Sequence, residues 1–215
     1  DDVIMNLPLV IQTGTTLQSG GAHPKWWEQD CPIISTNHKA AINTSDNRPM
    51  FLFAMQPNTV IQNLRFRGPD CTRVNEVLSS LYSGGIHIEN DAGVTSILNC
   101  EITCFSYAGV WKRTLANEFL IENSYIHKIR GESLPAFGYG IWTQGRDPIP
   151  NQVQISEFKN CIFDDCKVAI DGQGYPMDWN ILNCTFSQFF KGEDINMHNH
   201  NPFAIAKCPC IGTGM

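Results

Sequence analysis

One phrase recurs five times along this chain and restricts what it can fold into. An apolar run leads to an asparagine, then a small or apolar residue, a variable residue, and Ile or Phe. The copies are Asn63-Leu64-Arg65-Phe66, Asn99-Cys100-Glu101-Ile102, Asn123-Ser124-Tyr125-Ile126, Asn160-Cys161-Ile162-Phe163 and Asn183-Cys184-Thr185-Phe186. The gaps between the asparagines are 36, 24, 37 and 23 residues. A constant unit that twice takes an insertion is the mark of a solenoid, whose coils bury an apolar face only against their neighbours. The 215 residues are therefore expected to form one elongated domain over 1–215. An irregular excursion is expected near 22–47 and a loop insertion near 68–83, with a short helical segment from Thr72 to Leu81. A second insertion is expected over Gly131 to Phe137.

Few stretches carry a 3.6-residue apolar period, while Gly, Asn, Ser and Thr punctuate short apolar runs, so the coils read as strands. Successive copies of a strand run the same way and stack in parallel. The expected fold is all-β, a single-stranded parallel β-helix with loop insertions. Asparagine suits the bend, because it tolerates left-handed dihedrals and its side chain can bond the backbone or the next asparagine along the axis.

Charged residues are 17% and the net charge is −6, which argues against a nucleic-acid partner, whose phosphates need a basic footprint. No apolar run of 18 residues exists, so no transmembrane helix is expected. There are nine cysteines, an odd number. Cys100, Cys161 and Cys184 follow the asparagine of their repeats and are expected as stacked core thiols. Cys31, Cys71, Cys208 and Cys210 are the disulfide candidates if the protein is secreted.

The runs Ile97-Leu98-Asn99-Cys100-Glu101-Ile102, Ile121-Glu122-Asn123-Ser124-Tyr125-Ile126 and Ile181-Leu182-Asn183-Cys184-Thr185-Phe186 resemble right-handed parallel β-helix repeats of the pectate-lyase-like superfamily. The resemblance spans roughly residues 48–200 and lies in stacking residues, so it speaks to fold more than to chemistry. Members include pectate and alginate lyases, polygalacturonase-type hydrolases, phage tailspikes and adhesins. It implies a secreted, extracellular protein that binds or degrades a polysaccharide. It implies no cofactor, or calcium if the chain is a lyase. The phrase Asp171-Gly172-Gln173-Gly174 is similar to one in the hydrolases, but it comes without their paired aspartates and reads as a turn.

The repeat also serves as a ruler. Aligning the inward residues Val110, Ile141, Ile170 and Ile195 places Trp111, Trp142, Asp171 and Asn196 in one outward row. Arg113, Gln144, Gln173 and His198 form a second row. Exposed indoles beside amides would suit sugar rings, so Trp111, Trp142, Gln144, Gln173 and Asn196 are the substrate-binding candidates; the alternative is that the insertions 68–83 and 131–137 cover the rings as a secondary apolar cluster. His198, Asp194, Asp171 and Arg113 are the candidates for acid–base and electrostatic roles; His198 lies near His200 and Glu193. Lys112, Arg130 and Arg146 fall near the same face, while His87 and His127 read as structural. The competing expectation is a non-catalytic structural or adhesive module that self-associates through its solenoid ends. Of two sequons, Asn43-Thr44-Ser45 is open to glycan and Asn183-Cys184-Thr185 is expected to be buried in the ladder.

Overall fold

The computed structural model describes residues 3–5, 9–19, 31–41, 51–71, 81–88, 93–113, 118–131, 138–144, 154–173, 177–187, 193–197, 203–206 and 210–211. These residues form a parallel β-helix. Each coil contributes one strand to each of three parallel sheets. Sheet I has eight strands and includes Arg65–Arg67, Glu101–Thr103, Tyr125–His127, Ile162–Asp164 and Thr185–Ser187. Sheet II has seven, among them Phe51–Met55, Gly84–Ile88, Ala108–Arg113, Tyr139–Gln144 and Val168–Gln173. Sheet III also has seven, among them Val60–Gln62, Val94–Leu98, Glu118–Glu122, Gln154–Lys159 and Met177–Leu182.

The repeated asparagine makes the corner between sheets III and I. Asn63, Asn99, Asn123, Asn160 and Asn183 all take left-handed φ values, from 50° to 57°. Asn99 Nδ2 donates to Asn63 Oδ1 at 3.2 Å, and Asn183 Nδ2 to Asn160 Oδ1 at 3.1 Å. In all five coils this corner is the asparagine plus one buried residue, so it has constant geometry. Asn183 is exposed, contrary to the buried sequon position expected for it; the corner turns its side chain outward onto the ladder. A second left-handed column, Cys104, Lys128 and Asp165, ends the sheet I strands.

Alternation sends Phe66, Ile102, Ile126, Phe163 and Phe186 of sheet I inward, where they meet Ile61, Ile97, Ile121, Phe158 and Ile181 of sheet III. Each such side chain contributes about 1.5–3 kcal/mol of burial. Phe163 and Phe186 stack at 5.2 Å. Cys100, Cys161 and Cys184 are buried free thiols in this core, as are Cys31 and Cys166. Burial pushes the Cys100 thiol up to about 12, which makes it inert. Cys71 does form a disulfide, with Cys104 of the second corner column.

Three expectations change. Ile33–Thr36 falls within the stretch expected as an excursion but joins sheet I beside Arg65–Arg67, because alternation buries its Ile34 against the core. Asp171-Gly172-Gln173 is strand, not turn, in register with Trp142-Thr143-Gln144. Of the segment expected as a helix, 72–80 lies outside the described residues and Leu81–Tyr82 is a strand, paired antiparallel with Ala40–Ala41. The excursion and the first insertion thus meet, and the Lys39 ammonium pairs with the Asp70 carboxylate.

Candidate functional site

The register of sheet II matches the ruler. Trp111 pairs with Trp142, Trp142 with Asp171, and Asp171 with Asn196; Arg113, Gln144 and Gln173 form the parallel row. The indoles are covered, as in the second of the two arrangements open to them, and not exposed. Trp111 is 1% and Trp142 8% exposed, and Asp171 is fully buried. The two indoles stack on each other at 5.0 Å with planes 10° apart. Phe51, Tyr107 and Tyr139 close around them, with Tyr82 of the insertion packed into the same cluster. The physical reason is plain: contiguous aromatic rings on one sheet face gain more by covering each other than by facing water. Sheet II therefore carries a second apolar layer outside the coil.

The remaining sheet II candidates divide. Arg113 is half-buried with its guanidinium 5.4 Å from the Trp111 ring centre, a cation–π contact, and Gln144 is half-buried. The side chains of Gln173, Asp194 and Asn196, and all of His198, His200 and Arg146, lie outside the described residues. His87 is buried and packs against Trp111 and Phe51, in the structural role expected. Lys112 points into the coil. It is fully buried, with its ammonium donating to Ser156 Oγ at 3.2 Å and to Ile155 O at 3.4 Å. Burial lowers its pKa to about 7. Arg130 forms an ion pair with Asp165.

A different face assembles chemistry. Outward residues of sheet I form two rows along the axis. Ile33, Arg65, Glu101, Tyr125 and Ile162 make one; Ser35, Arg67, Thr103, His127 and Asp164 make the other. A cleft of about 210 Å³ opens here, lined by Arg65, Arg67, Glu101, Thr103, His127 and Lys128 together with the Cys71 and Cys104 disulfide. Strand pairing brings these groups within reach because Glu101 and Thr103 sit in register with Tyr125 and His127.

Glu101 is the hub. One carboxylate oxygen accepts from Arg65 Nε and the other from His127 Nε2 at 2.8 Å. The Glu101 side chain is 10% exposed. Burial alone would raise its pKa, but the hydrogen bonds and charges of His127 and Arg65 outweigh this and hold it below the usual carboxylate range. An ionised carboxylate can only accept, so in this contact His127 Nε2 is the donor. The other ring nitrogen, Nδ1, lies 3.3 Å from Thr103 Oγ1, within hydrogen-bond reach. Thr103 Oγ1 also lies 3.4 Å from Cys104 Sγ. The Tyr125 ring covers one face of the imidazole at 3.9 Å, planes 9° apart, and its hydroxyl donates to Asp164 Oδ2 at 3.0 Å. Burial and Asp164 raise the phenol pKa well above its ordinary value, so it remains a donor. Arg67 Nε approaches Cys71 Sγ at 3.3 Å and its side chain is exposed to the cleft.

In the sequence His127 reads as structural, and Arg65, Arg67, Glu101, Thr103 and Tyr125 are not among the site candidates. The signal was present. Each lies two or four positions after a ladder asparagine, the outward positions of the next strand. Among the described residues no group of three or more His, Cys, Asp or Glu side chains could hold a metal ion.

No protein-family model matches the sequence, and no curated protein matches it. Among solved structures the chain is similar to the tailspike protein gp49 from Acinetobacter baumannii bacteriophage Fri1, a capsular polysaccharide depolymerase. The identity is 10% and the TM-score 0.27. The match covers 97% of this chain and 51% of that one, so this chain spans about half its length.

Proposed function

We propose that this β-helix binds a saccharide chain on the outer face of sheet I. The observation that carries the reading is the cleft itself, where Arg65, Arg67 and Lys128 as donors and Glu101 as acceptor converge beside the Tyr125–His127 aromatic step. Sugars need such a mixture: fixed polar groups for hydroxyls and an apolar ring face for the pyranose. Coils repeat at about 4.8 Å, so the two outward rows offer a polymer lying along the axis a new polar contact at each coil. The Cys71–Cys104 disulfide supports an oxidising, extracellular setting. The repeat's resemblance to pectate-lyase-like solenoids agrees with a polysaccharide ligand.

Calorimetry against a panel of neutral and uronate oligosaccharides tests this. The wild-type chain is expected to bind at least one class. Arg67→Ala and Tyr125→Ala are each expected to weaken it about tenfold, the effect of losing about 1.4 kcal/mol. Gln144→Ala and Arg113→Ala, on sheet II, are expected to leave it unchanged. The converse pattern would move the ligand to sheet II and reject the sheet I face. No binding across the panel would reject the saccharide reading.

A further inference from the structure

Glu101, His127 and Thr103 are arranged as an orienting acid, a base and a hydroxyl. Glu101 Oε1 to His127 Nε2 is 2.8 Å, and His127 Nδ1 to Thr103 Oγ1 is 3.3 Å. All three side chains line one cleft of about 210 Å³. A purely structural histidine–carboxylate pair needs neither a hydroxyl on the second ring nitrogen nor access to a cleft. Here the carboxylate is locked by Arg65, the ring by the Tyr125 stack, and the hydroxyl by the strand register that sets Thr103 opposite His127. A nucleophile in reach of a base that is oriented by a third group defines this kind of constellation by geometry, wherever it falls in sequence.

We propose that Thr103, His127 and Glu101 form an ester-hydrolysing triad, with O-acylated saccharides as its substrate class. The choice of saccharide rests on the function proposed above; the triad does not. Thr103 Oγ1 attacks the ester carbonyl carbon and its proton passes to His127 Nδ1. The tetrahedral intermediate collapses, the carbon–oxygen bond to the sugar breaks, and His127 returns the proton to the departing sugar hydroxyl. The acyl group is then held on Thr103. Water attacks it, giving its proton to His127, and the carboxylic acid leaves as Thr103 recovers its hydrogen. The net reaction consumes one ester and one water and yields one acid and one alcohol. Arg67 and Lys128 supply positive charge along the same cleft for the oxyanion. Glu101 touches no reacting atom and is a positioning residue.

The test uses the full chain with p-nitrophenyl acetate and an O-acetylated xylo-oligosaccharide, beside the calorimetric panel. Hydrolysis above the buffer rate is expected, falling about 10²–10⁴-fold in His127→Ala. Thr103→Val keeps the side-chain shape and should abolish turnover, whereas Thr103→Ser should retain it. A fluorophosphonate probe should add its mass to the peptide containing Thr103. Glu101→Gln should lower kcat with KM held, and ¹⁵N spectra should show the His127 proton moved from Nε2 to Nδ1. Saccharide binding without ester hydrolysis overturns the triad and leaves the proposed function standing. Hydrolysis that survives Thr103→Val also overturns it. Ester hydrolysis without saccharide binding upholds the triad and rejects the substrate class.

Discussion

At the scale of single residues, the corner asparagines and one buried lysine carry the clearest consequences. Asn99 holds φ at 52°, a region that costs an ordinary L-residue about 1–2 kcal/mol. Asn99→Ala is expected to lose roughly that amount in urea denaturation, and Asn99→Gly distinctly less. Lys112 carries a pKa near 7, lowered from 10.5 by burial. Between those values the unfolded chain binds a proton that the folded chain does not, so stability from this group rises with pH across that window. Lys112→Met should raise the urea midpoint at neutral pH and remove the rise towards pH about 10. Glu101 behaves oppositely. Its lowered pKa contributes stability above the ordinary carboxylate value, which is lost as pH falls through the folded value. Glu101→Gln should make the acid limb of a thermal-melting profile shallower.

At the scale of elements, close approach between coils sets the limits. A Cβ on Gly109 would stand 2.7 Å from the Gly140 carbonyl oxygen, and one on Gly140 2.6 Å from that of Ala169. The obstacle is backbone in both cases, so the coils would have to part. Gly109→Ala is expected to cost about 1–3 kcal/mol, the usual range for overpacking, read as a lower melting temperature. The same stacking explains what could be read from the sequence. Asn63 to Asn183 identified the corner, the inward residues, and the register that aligns Trp111 with Trp142 and Asp171. Strand alternation is local, so the sequence carries it. Whether an outward ring faces water is not local. Trp111 is buried because Phe51, from two coils earlier, and Tyr107 reach over it. The Glu101–His127–Thr103 group was missed for a related reason. Charged residues on an outward row read as ordinary solvated positions until pairing shows that Arg65, Glu101 and His127 satisfy one another.

At the scale of the whole molecule, the strands of the three parallel sheets hydrogen-bond only to strands of the adjoining coils. Stability in such a body is a sum of nearest-neighbour terms, and a defect in the middle weakens both sides. Phe163 lies between Ile126 and Phe186 in the inward column of sheet I. Phe163→Ala is expected to cost about 3–5 kcal/mol. Hydrogen exchange should show protection lost first in the strands Tyr125–His127 and Thr185–Ser187, and last in distant coils.

The two-residue corner between sheets III and I is the same in all five coils that carry the asparagine, whatever the length of the loops elsewhere. The corner therefore sets the joint between the two sheets in the same way in each of these coils. The residues that would change the outer surface, two and four places beyond the asparagine, are separate from those that fill the interior. A hybrid in which Glu101 and Thr103 were transplanted to the positions of Ile162 and Asp164 would move the acidic hub about two coils along the axis, roughly 10 Å, with the core untouched. Such a solenoid works as a typesetter's line, its message rewritten by swapping characters in slots of fixed width.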